Sequence, residues 1–141
     1  MIPRTLFAEE HEVFRETVGR FFDEEIVPHH DAWEEQGWVD REAWIKAGKL
    51  GLLCPTMPEA HGGSGVDRTY SAILLEEQAI RGINGEGYAL HSDIVAPYIL
   101  NYGSDEQKAE FLPKMATGEK IGAIAMRSEE HTSELQSLTN L

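Results

Sequence analysis

The stretch from His91 to Met126, HSDIVAPYILNYGSDEQKAEFLPKMATGEKIGAIAM, constrains the fold of this chain more than any other. Together with the preceding Tyr88 and Leu90, its first part is apolar almost all round, the pattern of a helix buried on most sides. Pro97 removes one backbone donor from the middle of that helix and predicts a kink. Gly103 ends the run, and Ser104-Asp105-Glu106-Gln107 forms a capping box. The serine hydroxyl accepts from the amide three residues on, and the glutamine side chain reaches back. A helix carrying Ala109, Phe111, Leu112 and Met115 follows, with Pro113 placed to bend its last turn, and Gly118 closes it. Ile121 to Met126 then reads as the first residues of a strand. Helices in close succession with a single incipient strand point to an all-α domain.

Upstream residues repeat the helical pattern. Phe14, Val18, Phe21, Phe22 and Ile26 recur at three- and four-residue steps, predicting a helix from Phe7 to about Glu25 that Val27-Pro28 should end. Asp31 to Gln36 is a short turn of helix around Trp33, closed by Gly37. Asp40 caps Arg41 to Lys46, with Ala43, Trp44 and Ala47 inward and Gly48 as the left-handed exit. Leu50 to Met57 is extended and apolar, and residues 58–65 are a glycine-rich turn. Asp67 caps a helix from Arg68 to Ile80 whose inward face is Tyr70, Ile73, Leu74, Glu77 and Ile80. Residues 82–87 form a flexible break. The expected architecture is a bundle-like domain of five to six helices over residues 1–119, with 120–126 opening a β-domain.

Several constellations suggest chemistry and are better read as structure. His29-His30 has no third ligand nearby, and adjacent helical residues point about 100° apart, so solvated histidines are expected. Trp33, Trp38 and Trp44 lack interleaved basic residues and read as packing rather than a base-stacking platform. Glu76-Glu77 lacks the repeated Glu-x-x-His of a di-metal site and reads as ion-paired or solvated; no metal site is expected. Neither glycine cluster completes a phosphate-binding fingerprint. Cys54 stands in an apolar run as a buried, inert thiol. With 12 basic against 25 acidic residues and a net charge of −13, the chain cannot present a broad basic patch. Nucleic acid and anionic membrane surfaces are therefore not expected partners. No window is apolar enough to span a bilayer, and the first residues carry no signal or transit pattern. The expected location is the cytoplasm, or the mitochondrial matrix if the source is eukaryotic.

In their order and spacing, EEHEVFRETVGRFF, EEIVPHHDAWEEQGWVDREAWIKAGKLGLL, PEAHGGSGVD, LLEEQA and the His91–Met126 stretch resemble the N-terminal helical domain of the acyl-CoA dehydrogenase family, most nearly its long-chain type. The resemblance covers Phe7 to Met126. It implies an FAD-dependent oxidation of a fatty acyl-CoA thioester between its α and β carbons, in which a carboxylate removes the α proton and the β hydrogen leaves as hydride to the flavin. It also implies acyl-CoA and an electron-transferring flavoprotein as partners, and a homo-oligomer at full length. By position, the kinked helix forms part of the acyl-chain wall, with Tyr88, His91, Ser92 and Val95 lining it, while Ile124, Ala125 and Met126 approach the flavin. No catalytic residue is assigned, because the family's base lies in its C-terminal part. The chain is therefore expected to be a truncated enzyme, inactive alone, whose dehydrogenase or oxidase character its N-terminal half does not separate. The competing expectation is a freestanding helical module that binds an acyl chain or partner helix through the Tyr88–Tyr102 groove.

After Met126 the family pattern, Thr-Glu-Pro-Gly-Ala-Gly-Ser-Asp, gives way to RSEEHTSELQS. That run resembles the translation of a common sequencing adapter, so residues 127–141 are expected to be a non-native tail.

Overall fold

The computed structural model describes residues 5–125. Within them lie six α-helices: α1 (Glu9–Phe21), α2 (His30–Gln36), α3 (Arg41–Lys49), α4 (Arg68–Ile80), α5 (Ala96–Tyr102) and α6 (Asp105–Ala116). The all-α expectation holds, and no strand occurs among the described residues. Residues 121–125 are neither helix nor strand. A strand exists only through bonds to a neighbouring strand, and none is present among the described residues to pair with. Met126 and the 127–141 tail lie outside the described residues.

The apolar stripe of the first helix is buried as its spacing predicts: Val18, Phe22 and Ile26 are fully enclosed. Pro28 does not end the helical path. The Val27 amide bonds to the Phe22 carbonyl five residues back, closing a π-turn over Phe22–Ile26. A 3-10 turn, Val27–His29, follows and leads into α2. Pro28 sits at the start of that turn, where its missing N–H leaves no bond unmade.

Helix α3 runs on to Lys49, so Gly48 is helical and the left-handed exit falls to Gly51 (φ 71°). Gly48 is required for another reason. A Cβ there would collide with the Thr117 carbonyl at the end of α6. Two of the three capping predictions hold: Asp67 Oδ1 accepts from the Thr69 amide at 2.8 Å, and Ser104 and Gln107 exchange bonds of 2.9 and 3.2 Å. Asp40 stands at the N-cap of α3, but its side chain makes no cap bond and instead accepts from Gln36 Nε2 at 3.2 Å.

Helices α1 and α4 pack together, as do α5 and α6. Two apolar clusters result. The larger joins the α1 stripe to Trp33, Trp44, Leu52, Leu53, Leu74 and Tyr88, and the smaller joins Cys54, Met57 and Ala96 to Leu112, Met115 and Ala116. Ile80, expected inward, is 74% exposed at the end of α4. Leu90, Ile94, Tyr98 and Tyr102 are also exposed, so the helix expected to be buried on most sides leaves one apolar side open.

Candidate functional site

Tyr88, His91, Ser92 and Val95 share one helical segment, but its register is not that of a plain α-helix. Leu90–Val95 is a π-turn in which the Ala96 amide bonds to the His91 carbonyl. Pro97 offers no amide to the turn before it, and the π-turn stands just ahead of that proline. The wider turn sends both His91 and Ser92 inward, where each is buried.

His91 joins the two clusters. Its ring stands edge-on to Trp44 with centroids 5.2 Å apart, and its Nε2 lies 3.0 Å from the Met115 carbonyl. The Gly122 amide donates to its Nδ1 at 2.9 Å. A carbonyl only accepts and an amide N–H only donates, so the ring is the neutral Nε2–H tautomer. Burial holds its pKa below the ordinary histidine value, and the bond to Met115 opposes that shift in part. Ser92 Oγ accepts from the Cys54 amide at 2.9 Å, which steadies Cys54 in a left-handed conformation (φ 51°). Burial pushes the Cys54 thiol up to about 12, which keeps it protonated and inert, as its apolar setting implied.

Val95 is half-buried against Gly122, where a Cβ would come within 2.7 Å of its Cγ1. Tyr88 donates to the Ala43 carbonyl at 3.4 Å and meets Trp44 edge-on at 4.8 Å.

The open space lies beside these residues. A groove of about 410 Å³ runs between α4 and the Gly85–Leu90 segment, lined by Leu75, Ala79, Ile83, Tyr88, Ala89 and Leu90 among others. A separate crevice of about 10 Å³, lined by Leu74, Leu75, Tyr88 and Ser92 among others, has room for little more than one water. Of the four expected wall residues, Tyr88 lines both the groove and the crevice, and Ser92 lines the crevice alone. His91 and Val95 line neither and instead fix the segment that leads to Ile124 and Ala125. Leu75, Ala79 and Ile83 were missed because they stand off the inward stripe of α4 or after its end. Leu75 and Ala79 are apolar at exposed positions, and Ile83 is a buried apolar residue within the glycine-rich break.

Of the polar constellations, Glu76-Glu77 is as expected and His30 differs. Glu76 and Glu77 are ion-paired: Arg15 reaches them at 3.0 and 2.9 Å, and Arg81 links Glu77 at 2.7 Å to Asp23. His30 is not solvated. Its side chain is 13% exposed and stands between Glu34 and the fully buried Glu86, 3.5 Å from each. Gln78 donates to Glu86 Oε2 at 3.0 Å, while Oε1 is buried and accepts no hydrogen bond. Burial raises the Glu86 pKa above the ordinary carboxylate value. Among the described residues no three His, Cys, Asp or Glu side chains cluster to hold a metal ion, and no helix is long and apolar enough to cross a membrane.

The helical fold is that of an acyl-CoA dehydrogenase N-terminal domain, whose family model matches residues 8–119; the chain belongs to the acyl-CoA dehydrogenase family. Among its relatives is the long-chain specific acyl-CoA dehydrogenase, mitochondrial, of Sus scrofa. The two are 53% identical over 135 residues, covering 96% of this chain and 31% of that protein. The crystal structure of acyl-CoA dehydrogenase from Geobacillus kaustophilus superposes with a TM-score of 0.84 at 42% identity, over 94% of this chain and 35% of that one. An acyl-CoA dehydrogenase from Bacillus anthracis, complexed with FAD, gives 0.74 at 29% identity over 96% and 24%. The chain thus spans a quarter to a third of the length of these relatives.

Of the three residues expected to meet the flavin, Ile124 and Ala125 lie among the described residues and Met126 lies outside them. Ile124 and Ala125 are exposed, small or apolar, and follow directly on the anchored Gly122.

Proposed function

We propose that this chain supplies the N-terminal helical part of an FAD-dependent acyl-CoA dehydrogenase acting on fatty acyl-CoA thioesters, and that the groove between α4 and the Gly85–Leu90 segment forms one wall of the acyl-chain site. The observation that carries this is the open apolar groove, set beside an exit segment that His91 holds in place, in a chain of this family. An acyl chain gains from leaving water in proportion to the apolar area it covers, and Leu75, Ala79, Ile83 and Leu90 offer such area. Tyr88 forms the floor, its hydroxyl tied back to Ala43 and so kept out of the groove. A dry wall matters because the developing charge and the reduced cofactor must be kept from water. FAD, when bound, would supply the hydride acceptor, with Ile124 and Ala125 at one edge and Met126 following them outside the described residues.

The catalytic carboxylate, most of the flavin site and the surface for an electron-transferring flavoprotein belong, in this reading, to the two-thirds of the relatives that this chain does not span. The same holds for homo-oligomerisation. The mitochondrial label of the pig relative supports a matrix location in a eukaryotic source. The freestanding-module alternative draws no support from a family match across residues 8–119. Residues 127–141 are proposed to be non-native. The pig alignment, at 135 residues, is long enough to run past Met126, so the nucleotide sequence across codon 127 is the deciding measurement.

The test is a chimera in which residues 1–126 replace the matching part of the Geobacillus kaustophilus enzyme. Stoichiometric bound flavin and turnover of a long-chain acyl-CoA are expected. A folded chimera that binds flavin but gains no acyl-CoA affinity would remove the groove from the substrate site.

A further inference from the structure

His91 is fully buried, holds a hydrogen-bond partner at each ring nitrogen, and lines neither the groove nor the crevice. We propose that it is a positioning residue: by accepting from the Gly122 amide it fixes where the chain leaves the helical domain relative to the acyl groove. The inference rests on the function proposed above, and it gives His91 a role through Gly122 rather than on the substrate itself.

The anchor is a single point. Among the described residues, the bond to His91 is the only hydrogen bond that residues 121–125 make, and Gly122 alone of the five is not exposed. Glycine is required there, because a Cβ would come within 2.7 Å of Val95 Cγ1 and 3.0 Å of Met115 Cε. On the far side of the ring, the Met115 carbonyl takes the Nε2 proton and Trp44 stands edge-on. Tautomer and ring are thereby both set, and Nδ1 is left as an acceptor in one place. Trp44 also meets Tyr88, the floor of the groove, edge-on at 4.8 Å. One indole therefore spaces the groove from the anchor. Reacting groups tolerate little error in placement, and a displacement of about 1 Å costs on the order of a hundredfold in rate. A segment held at one bond passes any slack at that bond straight to Ile124 and Ala125.

Amide hydrogen exchange of the 141-residue chain tests the anchor, with the Lys120 amide as internal reference because its bond to the Lys114 carbonyl does not involve His91. His91→Asn places a side-chain oxygen where Nδ1 stands and keeps the Gly122 bond. His91→Gln instead places its amide where Nε2 stands and keeps the bond to Met115. Gly122 protection relative to Lys120 is expected to stay within about threefold of the parent in His91→Asn. In His91→Gln it should fall about tenfold, the effect of one buried hydrogen bond. A histidine that only fills space would give the reverse order or none, because glutamine replaces more of its volume than asparagine does. In the Geobacillus kaustophilus chimera, His91→Gln is expected to lower kcat about tenfold with KM for acyl-CoA changed less than about threefold, and His91→Asn to keep kcat near the parent. A parent chimera that binds flavin without turning over acyl-CoA would sink the proposed function, while the exchange ratio still judges the anchor. Should neither variant fold, a scalar coupling across the Gly122 N–H···Nδ1 bond in the parent reads the anchor without any substitution. Absence of that coupling, Gly122 protection that falls equally in both variants or in neither, or an unchanged kcat in His91→Gln with Gly122 unprotected overturns the proposal.

Discussion

At the residue scale, His91 and Glu86 are buried titratable groups whose linkages to pH run in opposite directions. The pKa of His91 is lowered by burial from its ordinary 6.5, so the unfolded chain binds that proton more tightly than the folded one. Its contribution is therefore full above about pH 6.5 and is lost as the pH falls through the folded value. Replacing it with leucine strands the Met115 carbonyl and the Gly122 amide. We expect His91→Leu to cost about 2–4 kcal/mol in urea melts at pH 7.5, from two unmet buried groups. The loss should shrink below pH 6. Glu86 behaves oppositely: its pKa is raised from 4.5 by burial, so its contribution is present below that value and is lost as the pH rises through the folded pKa. Glu86→Gln is expected to stabilise the chain relative to the parent increasingly as pH rises from about 4.5. A flat difference curve would show that the carboxylate is already satisfied in the folded chain. The sequence revealed Asp67 and Ser104 as caps because their partners lie two or three residues away. It could not reveal the His30–Glu86 proximity, which depends on how α2 meets the loop after α4.

At the element scale, local rules predicted where helices exist better than how they end. Pro28 and Gly48 were each assigned the role their residue type usually plays, one as a stop and one as an exit. Tertiary packing gave them others. The π-turns at Phe22–Ile26 and Leu90–Val95 have no residue signature beyond the prolines that follow them, and they decide which side chains turn inward. Gly48 offers a clear test because two effects oppose each other. Alanine at a helical position is favoured over glycine by about 1 kcal/mol. Against that, the Cβ would overlap the Thr117 carbonyl, a backbone atom that cannot rotate away. Overpacking of this kind costs about 1–3 kcal/mol or more, so Gly48→Ala is expected to destabilise on balance. Thermal melts of the parent and the variant decide the sign, and a raised midpoint would mean that α3 and α6 separate without penalty.

At the scale of the whole molecule, the described residues bury two connected cores yet leave Leu90, Ile94, Tyr98 and Tyr102 exposed at four-residue intervals, with Ile121 and Ile124 exposed as well. Tyr98 and Tyr102 touch one another, ring centroids 5.5 Å apart, and otherwise stand largely in solvent. The Tyr88–Tyr102 segment is apolar on more than one side, and burial of one side against α6 accounts for only part of that composition. Its relatives are about three times as long, so the open face has a ready explanation as the seat of a further part of the fold. The face should be adhesive when the chain is studied alone, since contiguous exposed apolar surface of this kind drives association. We expect fluorescence of a hydrophobic dye and a concentration-dependent rise in sedimentation coefficient. Ile94→Lys with Tyr98→Lys should reduce both, while the folding free energy moves by less than about 1 kcal/mol, because both side chains are solvent-facing. In the chimera with the Geobacillus kaustophilus enzyme the same pair should instead reduce bound flavin or disrupt folding, since the charges would then be buried without partners. A chimera indifferent to the two lysines would show that this face stays in water in the longer protein, and its apolar residues would need another partner.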